Sequence, residues 1–331
     1  MMSSNARLTD NARGPGFHQA SDRSSCTLMS APPLIFDRAL LRTRLDRAAP
    51  SYRRADFLKV RAAQDAVFRL ESIMREFPRA VDLGARNGAF RRALAESDAA
   101  QRVGFLVEVD LSGRMLVGRT GPRLVADEEQ LPFGFGQLDL VVSTLSLHWT
   151  NDVIGALIQI RRALKPDGLF IGALLGGATL TELRQSLVQA ELELTGGAGS
   201  RVSPFADASD AAGLLQRAGF ALPVADVDRV VVRYDHPLKL LADLRAMGET
   251  SVLAERHPNR LTRTLLARAF DIYIEKFADP DGRIPATFEI LTLTGWTPDA
   301  SQQKPLKPGS AKMRLADALG VVEQALPRGE D

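Results

Sequence analysis

The chain has 331 residues, 45% hydrophobic and 25% charged, with a formal net charge of +2; the length suits one large domain with an appended lobe or two small domains, and the composition excludes disordered, collagenous and coiled-coil classes. Its single cysteine, Cys26, excludes an internal disulfide, a cysteine-based zinc site and an iron–sulfur cluster, and fits a reducing cytoplasm. The 35 Arg and 7 Lys are spread along the chain, a pattern of base-composition bias rather than a nucleic-acid footprint, and no apolar run approaches the ~18 residues of a bilayer span, so neither nucleic-acid binding nor a membrane span is expected.

Residues 1–34 are rich in Ser, Asn and Arg without apolar period, and read as a disordered extension with Met29 as an alternative start. Asp10, Asp22 and Pro15 interrupt the amphipathic helix that a mitochondrial transit peptide would need. From Phe57, apolar residues at Val60, Val67, Leu70 and Met74 predict a helix closed by Pro78. Short apolar runs at 80–83, 105–109, 138–142 and 169–175 alternate with helix-length stretches, which predicts a parallel sheet covered by helices. Val153, Ile154, Leu157, Ile158 and Leu164 share a helix face, and Lys165-Pro166-Asp167-Gly168 turns the chain into the next strand. Leu180, Leu183, Leu187, Ala190 and Leu194 follow helical spacing up to Gly196-Gly197. Further expectations are a helix at 209–218, a strand at 227–234, two or three helices over 237–273, and a last strand at 286–296. No internal repeat is visible.

Chemistry concentrates at the ends of the early strands. Asp82-Leu83-Gly84-Ala85-Arg86-Asn87-Gly88 places glycines in a strand-to-helix turn, where backbone approaches a ligand closely and helix amides favour electron-rich groups. Asp110 ends the second strand, where a carboxylate accepts both hydroxyls of a ribose, and Asp127 follows a third short segment, where it would accept from an adenine amino group. Three acids ending three successive strand segments are a specific layout, of the kind a nucleoside-binding site needs, with an ordinary βα turn as the alternative.

Asp82-x-Gly84-x-x-x-Gly88, Asp110-Leu111-Ser112, Asp127 before Leu131-Pro132-Phe133, and Leu138-Asp139-Leu140-Val141 together resemble class I S-adenosylmethionine-dependent methyltransferases over about residues 55–176. The resemblance implies an α/β fold with a Rossmann-like seven-stranded sheet and a helical lobe inserted between the late strands. It implies S-adenosylmethionine as cofactor, with Gly84 and Gly88 lining methionine and ribose, Asp82 near the methionine ammonium, Asp110 on the ribose and Asp127 on the adenine edge. Ala85, Leu111, Glu128 and Ser143 complete the implied cofactor set. Arg86 departs from the glycine usual in that family and brings a cation into the cofactor loop.

A wider set of segments, including Ile35-Phe36-Asp37-Arg38, Leu145-Ser146-Leu147-His148-Trp149, Ser203-Pro204-Phe205 and Met247-Gly248-Glu249, is similar to the NADH dehydrogenase (complex I) assembly factor 5 family over 35 to about 319. That resemblance implies hydroxylation of an arginine in an iron–sulfur subunit of complex I and at most peripheral membrane contact; a cytoplasmic site of action, or the mitochondrial matrix in a eukaryote, is expected from the missing signal and membrane segments. A relative with the same lobe methylates the malonyl group on acyl carrier protein, which keeps an O-methyltransferase as the alternative; a non-enzymatic assembly chaperone is the third reading. The implied layout is an extension to 34, covering helices at 35–78, a cofactor core at 79–176, late strands with a substrate lobe at 177–296 and an extended tail at 297–331.

His148 and Trp149 follow the fourth strand, at the junction of cofactor and substrate in this fold. His148 suits a base or a guanidinium-orienting group, or else a histidine held by a backbone partner with Trp149 packed under the lobe. Tyr52 either closes over the cofactor or is a surface tyrosine; Glu249 either pairs with a substrate arginine or is a solvated helix charge. His18, His148, His236 and His257 share no ligand spacing, so no metal site is expected.

Overall fold

The computed structural model describes residues 34–255, 261–303, 310, 313 and 315–321, so the expected disorder and start site of the N-terminal extension lie outside the described residues up to residue 33. Seven strands, β1 (Phe77–Leu83), β2 (Val103–Asp110), β3 (Arg123–Val125), β4 (Leu138–Thr144), β5 (Leu164–Leu175), β6 (Ala221–Tyr234) and β7 (Ile284–Trp296), form one sheet in the order β3-β2-β1-β4-β5-β7-β6. Strands β1 to β5 pair in parallel, and β7 runs antiparallel to both β5 and β6.

Strand interiors such as Val81-Asp82-Leu83 and Leu140-Val141-Val142 are near-continuous apolar runs because both sheet faces are covered. On one face Ala80, Leu106, Leu140 and Ile171 pack against Ala63, Ala66 and Leu70 of α2 (Phe57–Glu71) and Phe90 and Leu94 of α3 (Ala89–Ala95). On the other, Val81, Leu83, Val109 and Val141 meet Ala156, Leu157 and Ile160 of α4 (Val153–Ala163) and Leu214 and Leu215 of α6 (Ala211–Arg217). The lobe is α5 (Thr181–Thr195), which follows β5, together with α7 (Pro237–Ala246) and α8 (Arg263–Phe277), which join β6 to β7. Leu183, Leu187, Leu240, Leu244, Ala269 and Tyr273 form its core over the β7 residues Ile284, Ala286 and Phe288. Ahead of the sheet, α1 (Arg38–Ala48) is capped by Asp37, whose side chain accepts from the Leu40 N–H at 2.8 Å. Its Leu41 and Leu45 join Phe36, Tyr52, Leu111, Met115, Trp149 and Val252 in a cluster across the strand ends.

Three expectations are corrected. Helix α2 ends at Glu71, its buried face is Leu58, Ala62, Ala63, Ala66, Val67 and Leu70, and Met74 lies outside it, exposed; the small alanines, not a large apolar stripe, let the helix sit close to the sheet. Pro78 is the second residue of β1 rather than a helix stop. Strand β6 starts at Ala221, because edge pairing with β7 runs through to Trp296 and leaves room for Pro223 where the ladder shifts register. Within the tail, α9 (Leu315–Leu319) forms one short helix.

Candidate functional site

The turn between β1 and α3 carries positive φ at Gly84 (+69°), Arg86 (+50°) and Gly88 (+71°). A Cβ on Gly84 would collide with the Ser146 side chain, which explains glycine there. Asp82, at the end of β1, is fully buried and neither carboxylate oxygen has a hydrogen-bond partner. Burial pushes this carboxyl above the usual carboxylate range, against the opposing pull of the Lys59 ammonium. Lys59, buried on α2, donates to the Gly84 carbonyl at 2.6 Å and to the Thr144 carbonyl. It thus bridges the ends of β1 and β4, and burial holds its ammonium below the usual lysine range while Asp82 opposes that.

Asp110, buried at the end of β2, accepts on Oδ2 from the Arg86 N–H at 2.8 Å and Arg86 Nη1 at 2.9 Å, and on Oδ1 from the Ser112 N–H at 2.8 Å. Arg38 of α1 donates to Asp127, at 2.5 Å from Nη2, and to Glu128, which also accepts from Ser146. Burial works against the Arg86 charge, and Asp110 and Glu128 outweigh it. Leu111 and Ala85 are buried beside these acids, and the Ser143 hydroxyl is buried without a partner. Gly88 caps α3 in the left-handed conformation, and the space a Cβ would take is filled by the Arg119 guanidinium, which pairs with Glu108. The donor set fits S-adenosylmethionine. A buried carboxylate with two orphaned oxygens is matched to an ammonium group, and a carboxylate at a second strand end to a ribose diol.

A second cluster lies where the core meets the lobe. Glu249, between α7 and α8, accepts on Oε2 from Trp149 Nε1 at 2.9 Å and contacts His148 Nε2 at 3.1 Å. The Leu175 N–H reaches His148 Nδ1 at 3.5 Å, so Nδ1 is the acceptor and Nε2 carries the hydrogen donated to Glu249. Phe36 meets Trp149 edge-on at 5.3 Å and Phe205 meets the His148 ring at 5.9 Å. Tyr52 is buried in this region, not a surface residue, and burial pushes its phenol above the usual range while the Arg86 cation opposes that. Glu249 is no solvated helix charge either.

Trp149 and Glu249 border a cavity of about 500 Å³, walled by Leu180, Leu183, Leu187, Phe205 and Leu244 and rimmed by Arg44, Arg201 and Arg245. The four predicted catalytic side chains, His148, Trp149, Tyr52 and Glu249, therefore gather at the core–lobe seam, and the acids gather at the strand ends. Sequence reasoning missed Lys59 and the part played by Arg38. The signal for Lys59 was its place at 59, 63 and 70, a helical spacing whose other members are buried apolar residues. Among the described residues, no group of three or more His, Cys, Asp or Glu is arranged to hold a metal ion.

Residues 81–172 match the methyltransferase domain family model. The chain is 41% identical over 290 residues to "Arginine-hydroxylase NDUFAF5, mitochondrial" of Danio rerio, covering 86% of this chain and 89% of that protein. It is 39% identical over 303 residues to the Homo sapiens protein of the same name, covering 89% and 86%. Similarity to the malonyl-[acyl-carrier protein] O-methyltransferase of Laribacter hongkongensis is 35% over 293 residues, 82% of this chain and 94% of that one. A solved Bacillus halodurans structure described as a methyltransferase superposes with a TM-score of 0.50 at 16% identity, covering 71% of this chain and 99% of that chain, and shows the same α/β fold.

Proposed function

The chain belongs to the family of the NDUFAF5 arginine hydroxylases, enzymes of methyltransferase fold with S-adenosylmethionine as cofactor, and from that premise we propose that it hydroxylates an arginine in an iron–sulfur subunit of NADH dehydrogenase. The observation that carries this reading is Glu249, held on one oxygen by His148 and Trp149 and bordering a leucine-walled cavity. An arginine has an aliphatic stem for the leucines and a planar guanidinium for a carboxylate. Glu249 receives the guanidinium, His148 fixes the orientation of that carboxylate, and Trp149 and Tyr52 exclude water from the seam. On the cofactor side Asp82 takes the ammonium end, Asp110 the ribose, and Asp127 with Glu128 the adenine edge, while Gly84, Ala85, Gly88, Leu111 and Ser143 shape the floor.

When bound, S-adenosylmethionine supplies an electrophilic methyl sulfonium. Hydroxylation instead replaces one hydrogen of arginine by a hydroxyl and removes two electrons, so with dioxygen as oxygen source two reducing electrons are also consumed and the second oxygen leaves as water. Peptide mass spectrometry of the complex I iron–sulfur subunits from wild-type and deletion cells tests the reading. An arginine one oxygen heavier in wild type alone supports it, and identical arginines in both refute it.

The basic cavity rim favours a second reading, O-methylation of the malonyl group on acyl carrier protein, because an anionic substrate would meet Arg245 there, beside Arg201, which already pairs with Glu191. Formation of the methyl ester from malonyl-acyl carrier protein by the purified enzyme tests it. No helix of the described residues is long and apolar enough to cross a membrane. The NDUFAF5 relatives are named mitochondrial; we place this chain in the cytoplasm, or in the matrix of a eukaryote, with transient contact to the membrane-bound complex.

A further inference from the structure

One cleft residue has no task in the chemistry above. Arg86 stands in the glycine turn at φ +50°, a backbone conformation that side-chain-bearing residues rarely adopt, and it is fully buried. Its Nη1 sits 2.9 Å from Asp110 Oδ2, while its Nε and Nη2 are buried without any hydrogen-bond partner. A guanidinium sealed from water with two of its three nitrogens unsatisfied is held at a cost, since desolvation of a buried ion pair offsets much of its attraction. Asp110 is thereby engaged from within: Oδ2 holds the backbone N–H and Nη1 of Arg86, and Oδ1 holds the Ser112 N–H. The carboxylate that a ribose diol needs is already engaged by the chain's own side chain.

We propose that Arg86 determines cofactor affinity, its guanidinium standing in the seat of the ribose hydroxyls on Asp110, so that binding exchanges a guanidinium for a diol. This rests on the cofactor reading of the strand-end acids, and not on which substrate the cavity takes. The exchange has two consequences. Affinity is lower than the acids alone would give, because the Arg86–Asp110 pair must open first. Removing the side chain also frees the one acceptor site on Asp110 Oδ2 that Nη1 occupies, and relieves the left-handed backbone, since glycine adopts that φ without strain.

The test is titration calorimetry of the full chain and of Arg86→Gly with S-adenosylhomocysteine, adenosine and 2′,3′-dideoxyadenosine. Arg86→Gly is expected to bind the first two tighter by about tenfold or more, the order of one recovered charge-assisted hydrogen bond. The gain is expected to vanish with the dideoxy compound and in an Asp110→Asn background, two readouts that a merely structural role would not move. Equal or weaker binding of S-adenosylhomocysteine by Arg86→Gly overturns the inference, as does a gain that persists without the diol. If Arg86→Gly fails to fold by circular dichroism, Arg86→Gln shortens the side chain so that it no longer reaches Asp110 as Nη1 does and removes its charge, and unchanged affinity in that variant overturns the inference equally. A negative result here leaves the arginine-modification reading standing, because that reading is decided by the subunit's mass.

Discussion

Replacing Lys59 by Met probes the polar centre of the cofactor end of the sheet. The side chain is buried, and its ammonium satisfies two buried carbonyls, those of Gly84 and Thr144, beside a carboxylate with no hydrogen-bond partner. Met has similar volume, so the loss is that of charge and donors rather than packing. Leaving the Gly84 and Thr144 carbonyls without their donor, and Asp82 without its neighbouring cation, costs about 3–5 kcal/mol. That corresponds to a fall in melting temperature of roughly 10 °C for a domain of this size. The sign with pH follows from linkage. The ammonium pulls the Asp82 carboxyl down against burial, so without Lys59 that carboxyl is raised further. A carboxyl raised in the folded state contributes stability at acidic pH and loses it as pH rises through its folded pKa. The deficit of Lys59→Met is therefore smallest near pH ~5 and grows toward pH ~7, and adding Asp82→Asn flattens the difference. Urea denaturation followed by tryptophan fluorescence, with Trp149 buried, measures it. A deficit under about 1 kcal/mol, or one identical at both pH values, would show that Lys59 and Asp82 do not meet as charges.

Glu249→Gln keeps an acceptor for Trp149 but removes the charge, and a rise of about 10- to 100-fold in KM for an arginine peptide with smaller change in kcat is expected; unchanged KM contradicts the placement of the guanidinium. Arg38→Ala frees Asp127 and Glu128 and unties α1 from the strand ends, so faster proteolysis within residues 38–48 is expected, and an unaltered digestion rate counts against α1 being held by that pair. Asp82 accepts an ammonium only when ionised and its carboxyl lies above the usual range, so affinity for S-adenosylhomocysteine should decline between pH ~7 and ~5 rather than near the ordinary ~3.9. Calorimetry across that interval decides the matter, and a flat profile removes Asp82 from the contact.

The sheet was legible because the later halves of β1 and β2 and most of β4 and β5 are buried on both faces and so read as apolar runs, and because Asp82 and Asp110 fall where two of those runs stop, with Asp127 just past the short β3. The seam was legible only as fragments. Met247-Gly248-Glu249 and His148-Trp149 lie about a hundred positions apart, and nothing local in either announces that one Glu249 oxygen meets both rings. Lys59 was hidden for a different reason. Its period matched the buried face, but a lysine at such a position reads as a surface residue until the two carbonyls above it are seen. Arg86 stood out as the wrong residue in a glycine turn, yet only the structure shows that its partner is Asp110.

The lobe is assembled from two separate stretches, one after β5 and one between β6 and β7, while every acid of the strand-end cluster comes from before residue 130. The chain is thus partitioned like a tool with a fixed handle and an interchangeable head. Mutations accumulating beyond Gly176 reshape the leucine-walled cavity without touching the first four strands, so a lineage carrying this fold is free to change what it acts upon while its nucleoside grip stays constant. Engineers have the same freedom: grafting the post-176 region from the O-methyltransferase relative onto this core, with Glu289 retained beneath Gly176, changes the leucine wall together while Leu40, Arg44 and Trp149 stay with the core.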